Sequence, residues 1–84
     1  MAERRAAPPR RLANRLRLLR FMHGEMTQAE LGDRIGMTRQ TIAAIEAGKY
    51  SPSLETAFKL AEVFGVRLEE VFQWTESSGE RRSS

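Results

Sequence analysis

Residues 28–46 constrain this chain more than any other stretch: Gln28-Ala29-Glu30-Leu31-Gly32-Asp33-Arg34-Ile35-Gly36-Met37-Thr38-Arg39-Gln40-Thr41-Ile42-Ala43-Ala44-Ile45-Glu46. Apolar side chains recur here at helical intervals on both sides of a connection made only of Gly36, Met37 and Thr38. Two short helices joined by so tight a turn must cross steeply and touch. Leu31, Ile35, Met37, Ile42 and Ile45 are then expected to share one core. Gly36 stops the first helix and permits the turn, and Gly32 sits where a larger side chain would push the helices apart. What points outward at the start of the second helix is Thr38, Arg39, Gln40, Thr41 and, one turn on, Ala44.

The punctuation on either side extends the helical reading. Gly24, Gly36, Gly48 and Gly65 each follow a stretch of helical spacing, as C-terminal glycines do. Thr27 with Glu30 three residues on forms a capping box, and Thr38 and Ser53 are further N-cap candidates. The spacing predicts five helices over 10–22, 28–35, 39–47, 54–64 and 68–73, and no stretch is read as a strand. The expected architecture is an all-α, compact five-helix bundle occupying 10–74. It is flanked by a flexible basic arm (1–9) and a disordered polar tail (75–84), both poor in apolar surface to offset the entropy of ordering them.

Charge narrows the function. Residues 1–20 carry seven arginines against Glu3 and so +6, whereas the remainder, with seven Lys/Arg against ten acids, carries −3. A chain polarised in this way points to an anionic partner, nucleic acid before a membrane surface. With no cysteine, disulfides, cysteine–zinc sites and thiol catalysis are excluded. His23 is the only histidine and has no second ligand at metal-binding spacing, so no metal or cofactor is expected. Neither a phosphate-cradling glycine loop nor a serine-nucleophile motif is present, and the reading is not that of an enzyme. No apolar run reaches the ~20 residues that span a bilayer, and the basic start leads into Pro8 and Pro9 rather than a signal-peptide core, so a cytoplasmic protein without membrane association is expected.

Beyond the helix pair, Glu46-Ala47-Gly48-Lys49-Tyr50-Ser51-Pro52-Ser53-Leu54-Glu55 supplies a bridge to the fourth helix. Leu60-Ala61-Glu62-Val63-Phe64-Gly65-Val66, then Leu68-Glu69-Glu70-Val71-Phe72, supply two closing helices. Together with 28–46 this pattern, over about 12–74, resembles the lambda-repressor/Cro-like helix-turn-helix family, the XRE family of bacterial and phage regulators. The resemblance implies a transcriptional regulator that binds double-stranded DNA, with repression by promoter blocking as the simplest mechanism. It also implies that Gln28 grips a backbone phosphate through its amide and the N–H groups at its helix end. Arg39 and Gln40 would read guanine and adenine edges in the major groove, with Thr41 or Ala44 on a thymine methyl. Thr38 would cap the recognition helix and touch a phosphate, and Lys49 and Tyr50 would hold the backbone past its far end.

Arg20 and Glu46 occupy positions that pair in the family and are carried over as structural. Three departures stand out. Gly32 replaces the usual alanine, at about 1 kcal/mol of helix propensity; the loop from Arg20 to Gln28 is one residue longer; and Arg67 replaces a serine-type cap. Leu68, Val71, Phe72 and Trp74 are more apolar than a short terminal helix needs. Some complete the core, and the surplus, Trp74 above all, is expected to form a homodimer patch, because a palindromic site requires two recognition helices ~34 Å apart. The alternative function is an antitoxin-like or controller protein that meets DNA mainly in complex with a protein partner. A membrane-surface role for the arginine arm is remoter, because that arm lacks interleaved apolar anchors.

Overall fold

The computed structural model describes residues 10–76; the predicted arm (1–9) and the tail beyond 76 lie outside the described residues. The elements run β1 (Arg10–Asn14), α1 (Leu16–Met22), α2 (Gln28–Ile35), α3 (Arg39–Glu46), α4 (Leu54–Phe64), α5 (Leu68–Val71) and β2 (Phe72–Glu76).

Local chemistry sets where the helices begin. Thr27 Oγ1 accepts from the Glu30 N–H at 3.0 Å while the Glu30 carboxylate accepts from the Thr27 N–H at 2.8 Å, so both orphan donors are satisfied reciprocally. Thr38 and Ser53 cap α3 and α4 by accepting from Thr41 and Thr56 at 3.2 and 3.1 Å. Arg67 has no hydroxyl to offer; the Glu70 carboxylate instead accepts the Arg67 N–H at 3.2 Å and holds the start of α5. Leu16, Leu31, Ile42, Ile45, Leu60 and Val71 form the fully buried centre, one or two from each helix. Ile35, Met37, Val63, Val66 and Phe72 pack around it.

The turn between α2 and α3 is tighter than an alanine would allow. Gly36 closes α2 at φ +76° and donates to the Gly32 carbonyl, which also accepts the Met37 N–H at 2.8 Å. A Cβ on Gly32 would run into the Met37 carbonyl oxygen. The glycine that costs helix propensity therefore permits the chain to fold back against its own helix.

The bundle is not all-α. Residues 10–14 and 72–76, read from sequence as the ends of the first and last helices and the start of the tail, pair as an antiparallel two-stranded sheet. Its register is Arg10↔Glu76, Leu12↔Trp74 and Asn14↔Phe72. The Arg15 N–H continues toward the same partner, donating to the Val71 carbonyl at 2.9 Å. Strands of five residues carry too short an alternation to be seen singly, and each finds its partner some sixty residues away. Once paired, Leu12, Asn14, Phe72 and Trp74 share one face, and Phe72 packs it onto the core.

The loop before α2 turns through two consecutive left-handed residues, Gly24 at φ +77° and Glu25 at φ +56°. Arg20 holds the far side: its carbonyl accepts the Met26 N–H at 2.9 Å and its Nη1 donates to the Met26 carbonyl at 2.8 Å. His23 hydrogen-bonds the Leu19 carbonyl at 2.9 Å and sets its ring edge-on to Phe64, with centroids 5.0 Å apart, which is a packing role. No helix among the described residues is long and apolar enough to cross a membrane.

Candidate nucleic-acid interface

The third helix, α3, is amphipathic with a sharply divided surface. In α3, Ile42 and Ile45 are 0% and 1% exposed and anchor one side. The 100° step per residue puts Gln40, Ala43, Ala44 and Ala47 on the opposite pole, with Arg39 and Thr41 on its two flanks. Arg39 and Gln40 are exposed at the first turn, and Ala44 is half-buried one turn on. Below Gln40 the pole is thus a strip of alanines, which presents a low, smooth surface able to approach another molecule closely. The sequence reading picked out Ala44 and missed Ala43 and Ala47, although helical periodicity marks all three.

The hydroxyls at the start of α3 are turned inward on each other. Thr38 Oγ1 lies 3.1 Å from Thr41 Oγ1 and also accepts the Thr41 N–H, so both threonines are part of the cap. Past the other end, the Gly48 and Lys49 N–H groups return to the Ile45 and Ala44 carbonyls at 3.0 and 2.9 Å. This leaves the Lys49 and Tyr50 side chains exposed on the loop that leads to α4.

Two residues beyond the sequence-selected set meet this end of α3. Asn14, at the end of β1, donates Nδ2 to the Ile45 carbonyl at 3.0 Å and accepts the Leu16 N–H at 3.2 Å, joining the starts and ends of two helices. Arg11 lines the same shallow cleft as Leu12, Gly48 and Tyr50. The sheet therefore places Arg11 of the basic segment in the cleft that Gly48 and Tyr50 also line. An asparagine just ahead of an apolar helix was the available signal for Asn14; Arg11 had none until β1 was paired.

At the side where α1, α2 and α3 meet, Arg20 forks Glu46, with Nε–Oε2 at 2.6 Å and Nη2–Oε1 at 2.9 Å and both side chains largely shielded. The hydrogen bond to Glu46 holds the Arg20 guanidinium pKa above its ordinary value, against the opposing effect of burial. Gln28 joins the pair, donating Nε2 to Glu46 Oε1 at 3.1 Å. It is half-buried at the first position of α2.

The four residues expected at a dimer patch do not share one fate. Val71 is 0% exposed and closes the core beneath the sheet, so it drops out of the expected dimer patch and is one of those that complete the core. Phe72 also packs on the core and Leu68 is half-buried, whereas Trp74 is 59% exposed opposite Leu12 at 37%. The apolar surplus thus sits at the central pair of the sheet. Among the described residues, no group of three or more His, Asp or Glu is placed to hold a metal.

Known proteins place this geometry. The Helix-turn-helix family model HTH_3 matches residues 16–71, which runs from the start of α1 to the end of α5. The chain is 49% identical over 61 residues to the uncharacterised HTH-type transcriptional regulator MJ0272 of Methanocaldococcus jannaschii, covering 73% of this chain and 91% of that protein. It is 45% identical over 65 residues to the HTH-type transcriptional regulator YgzD of Bacillus subtilis, covering 77% and 96%. It is 37% identical over 54 residues to RstR, the cryptic phage CTXphi transcriptional repressor of Vibrio cholerae, covering 64% and 49%. Among solved structures, the transcriptional regulator VanUg superposes with a TM-score of 0.68 at 14% identity, covering 90% of this chain and 100% of that one, a likeness of fold. The chain belongs to the XRE-type helix-turn-helix family and is a transcriptional regulator with a DNA-binding domain, a family that is not a class of enzymes.

Proposed function

We propose that this protein is a sequence-reading repressor that enters the major groove with α3 as a homodimer in the cytoplasm. The observation that carries the reading is the division of α3: Arg39 and Gln40 stand exposed at its first turn above the alanine strip, while Ile42 and Ile45 lock its other side into the core. Arginine matches guanine O6 and N7, and glutamine matches adenine N6 and N7, so this first turn has the donors and acceptors for direct readout. Gln28, Thr38, Lys49 and Tyr50 surround it as backbone contacts that fix register, with Ala44 and Thr41 toward thymine methyls. Repression follows from occupancy of a promoter; the relative RstR is by its name a transcriptional repressor.

The homodimer reading rests on the central pair of the sheet, where Leu12 and Trp74 lie opposite each other and both are exposed. A symmetric pair presents two recognition helices to an inverted repeat. Selection of bound duplexes from a randomised pool at near-physiological salt tests the whole proposal. An enriched inverted repeat is expected, and binding without enrichment would reduce Arg39 and Gln40 to backbone contacts.

A second reading, an interaction protein that meets DNA mainly in complex, draws on a different surface. Leu18, Phe21 and Met22 form an apolar stripe along α1, exposed by 53%, 65% and 64%. Failure of the isolated protein to bind any duplex in the same selection would favour it.

A further inference from the structure

We propose that Glu46 is a positioning residue for DNA binding: held by Arg20, it fixes the Gln28 carboxamide with its nitrogen inward, so that the last residue of the recognition helix sets the phosphate grip at the start of α2. The proposal rests on the reading of Gln28 as a phosphate contact.

A carboxylate accepts hydrogen bonds and cannot donate them, whereas a glutamine amide has one donating and one accepting end. Glu46 Oε1, 3.1 Å from Gln28 Nε2, therefore selects one of the two orientations of that amide. Of the two N–H bonds on Nε2, one is taken by Glu46 and the other remains a donor. A phosphate oxygen requires a donor, and the flipped amide would turn its carbonyl oxygen toward the anion instead.

Arg20 makes this arrangement compatible with a polyanion. Glu46 and Arg20 are 10% and 14% exposed, and the two-bond fork both neutralises the carboxylate and locks its plane. Arg20 is in turn anchored through Nη1 to the Met26 carbonyl at 2.8 Å, just ahead of α2. The fork alone suffices to tie α1 to α3. The Gln28 bond adds a link between the first residue of α2 and the last of α3, so that the phosphate grip and the base-reading helix share one register.

The test uses the full chain and the duplex recovered by selection, with backbone phosphates replaced one at a time by neutral methylphosphonates. For the wild type, one replacement is expected to weaken binding by about tenfold, the scale of a hydrogen bond to a charged group. That position should lose most of this sensitivity in Gln28→Ala and in Glu46→Gln, keeping only what the backbone N–H groups at the start of α2 hold, and the double variant should bind no more weakly than either single one. If Glu46→Gln senses the phosphate as the wild type does, the positioning role is overturned while the Gln28 contact stands. If Gln28→Ala still senses every phosphate as the wild type does, both fall. Should Glu46→Gln fail to fold, the free wild-type protein decides: the Gln28 side-chain amide protons should resonate downfield of those of exposed Gln40 and exchange more slowly, and coincidence of the two pairs would overturn the proposal.

Discussion

Asn14 donates its side-chain N–H to the Ile45 carbonyl at 3.0 Å, so the last residue of β1 caps the last turn of α3. The same side chain accepts the Leu16 N–H at 3.2 Å and starts α1. One carboxamide thereby satisfies orphan groups of two helices that are far apart in sequence. Asn14→Ala is expected to cost about 1–2 kcal/mol, read as a lower urea midpoint at unchanged slope.

Burial separates two leucine-like positions that composition treats alike. Ile42 is 0% exposed and Leu18 is 53% exposed. Ile42→Ala should lose about 2–5 kcal/mol, much of what a small domain possesses, while Leu18→Ala should stay within about 0.5 kcal/mol. Thermal melts of the two variants side by side check this.

Arg39 and Lys49 should fail differently. Arg39→Ala is expected to weaken the selected site by about 1–3 kcal/mol and relax preference at one base pair. Lys49→Ala should weaken all sequences alike and reduce the slope of log K against log salt by about 0.9. Titrations of the selected and a scrambled duplex at several salt concentrations distinguish the two, and uniform effects from both would remove the base-reading assignment.

Trp74→Ser addresses the dimer. The variant should sediment as a monomer at a concentration where the wild type sediments as a dimer, and should lose affinity for the inverted repeat more than for a single half-site. A wild type that sediments as a monomer and binds a half-site as tightly as the repeat would remove the homodimer.

The helix-turn-helix was legible in the sequence because its signals are local. Thr27 and Glu30 satisfy each other three residues apart, and Gly36 ends α2 within the same turn that starts the connection to α3. Such bonds depend on neighbours along the chain, and the sequence lists those neighbours. The same holds for Ile42 and Ile45, whose spacing alone puts Gln40 and the alanines on the other side of α3.

What only the tertiary structure decided depends on partners distant in the chain. Arg10–Asn14 and Phe72–Glu76 became strands because each supplies the other's backbone partners. Helical spacing could continue through Phe72 on paper, but the pairing drew it into the sheet and left Val71 sealed in the core. The orientation of Gln28 was settled in the same way, by a carboxylate 18 residues away that is itself gripped from α1. Sequence thus determined α2, α3 and α4 and the composition of the exposed side of α3, through interactions within a turn or two. The fold decided which polar groups meet, because a hydrogen bond selects an orientation only once both ends are brought within 3 Å or so of each other.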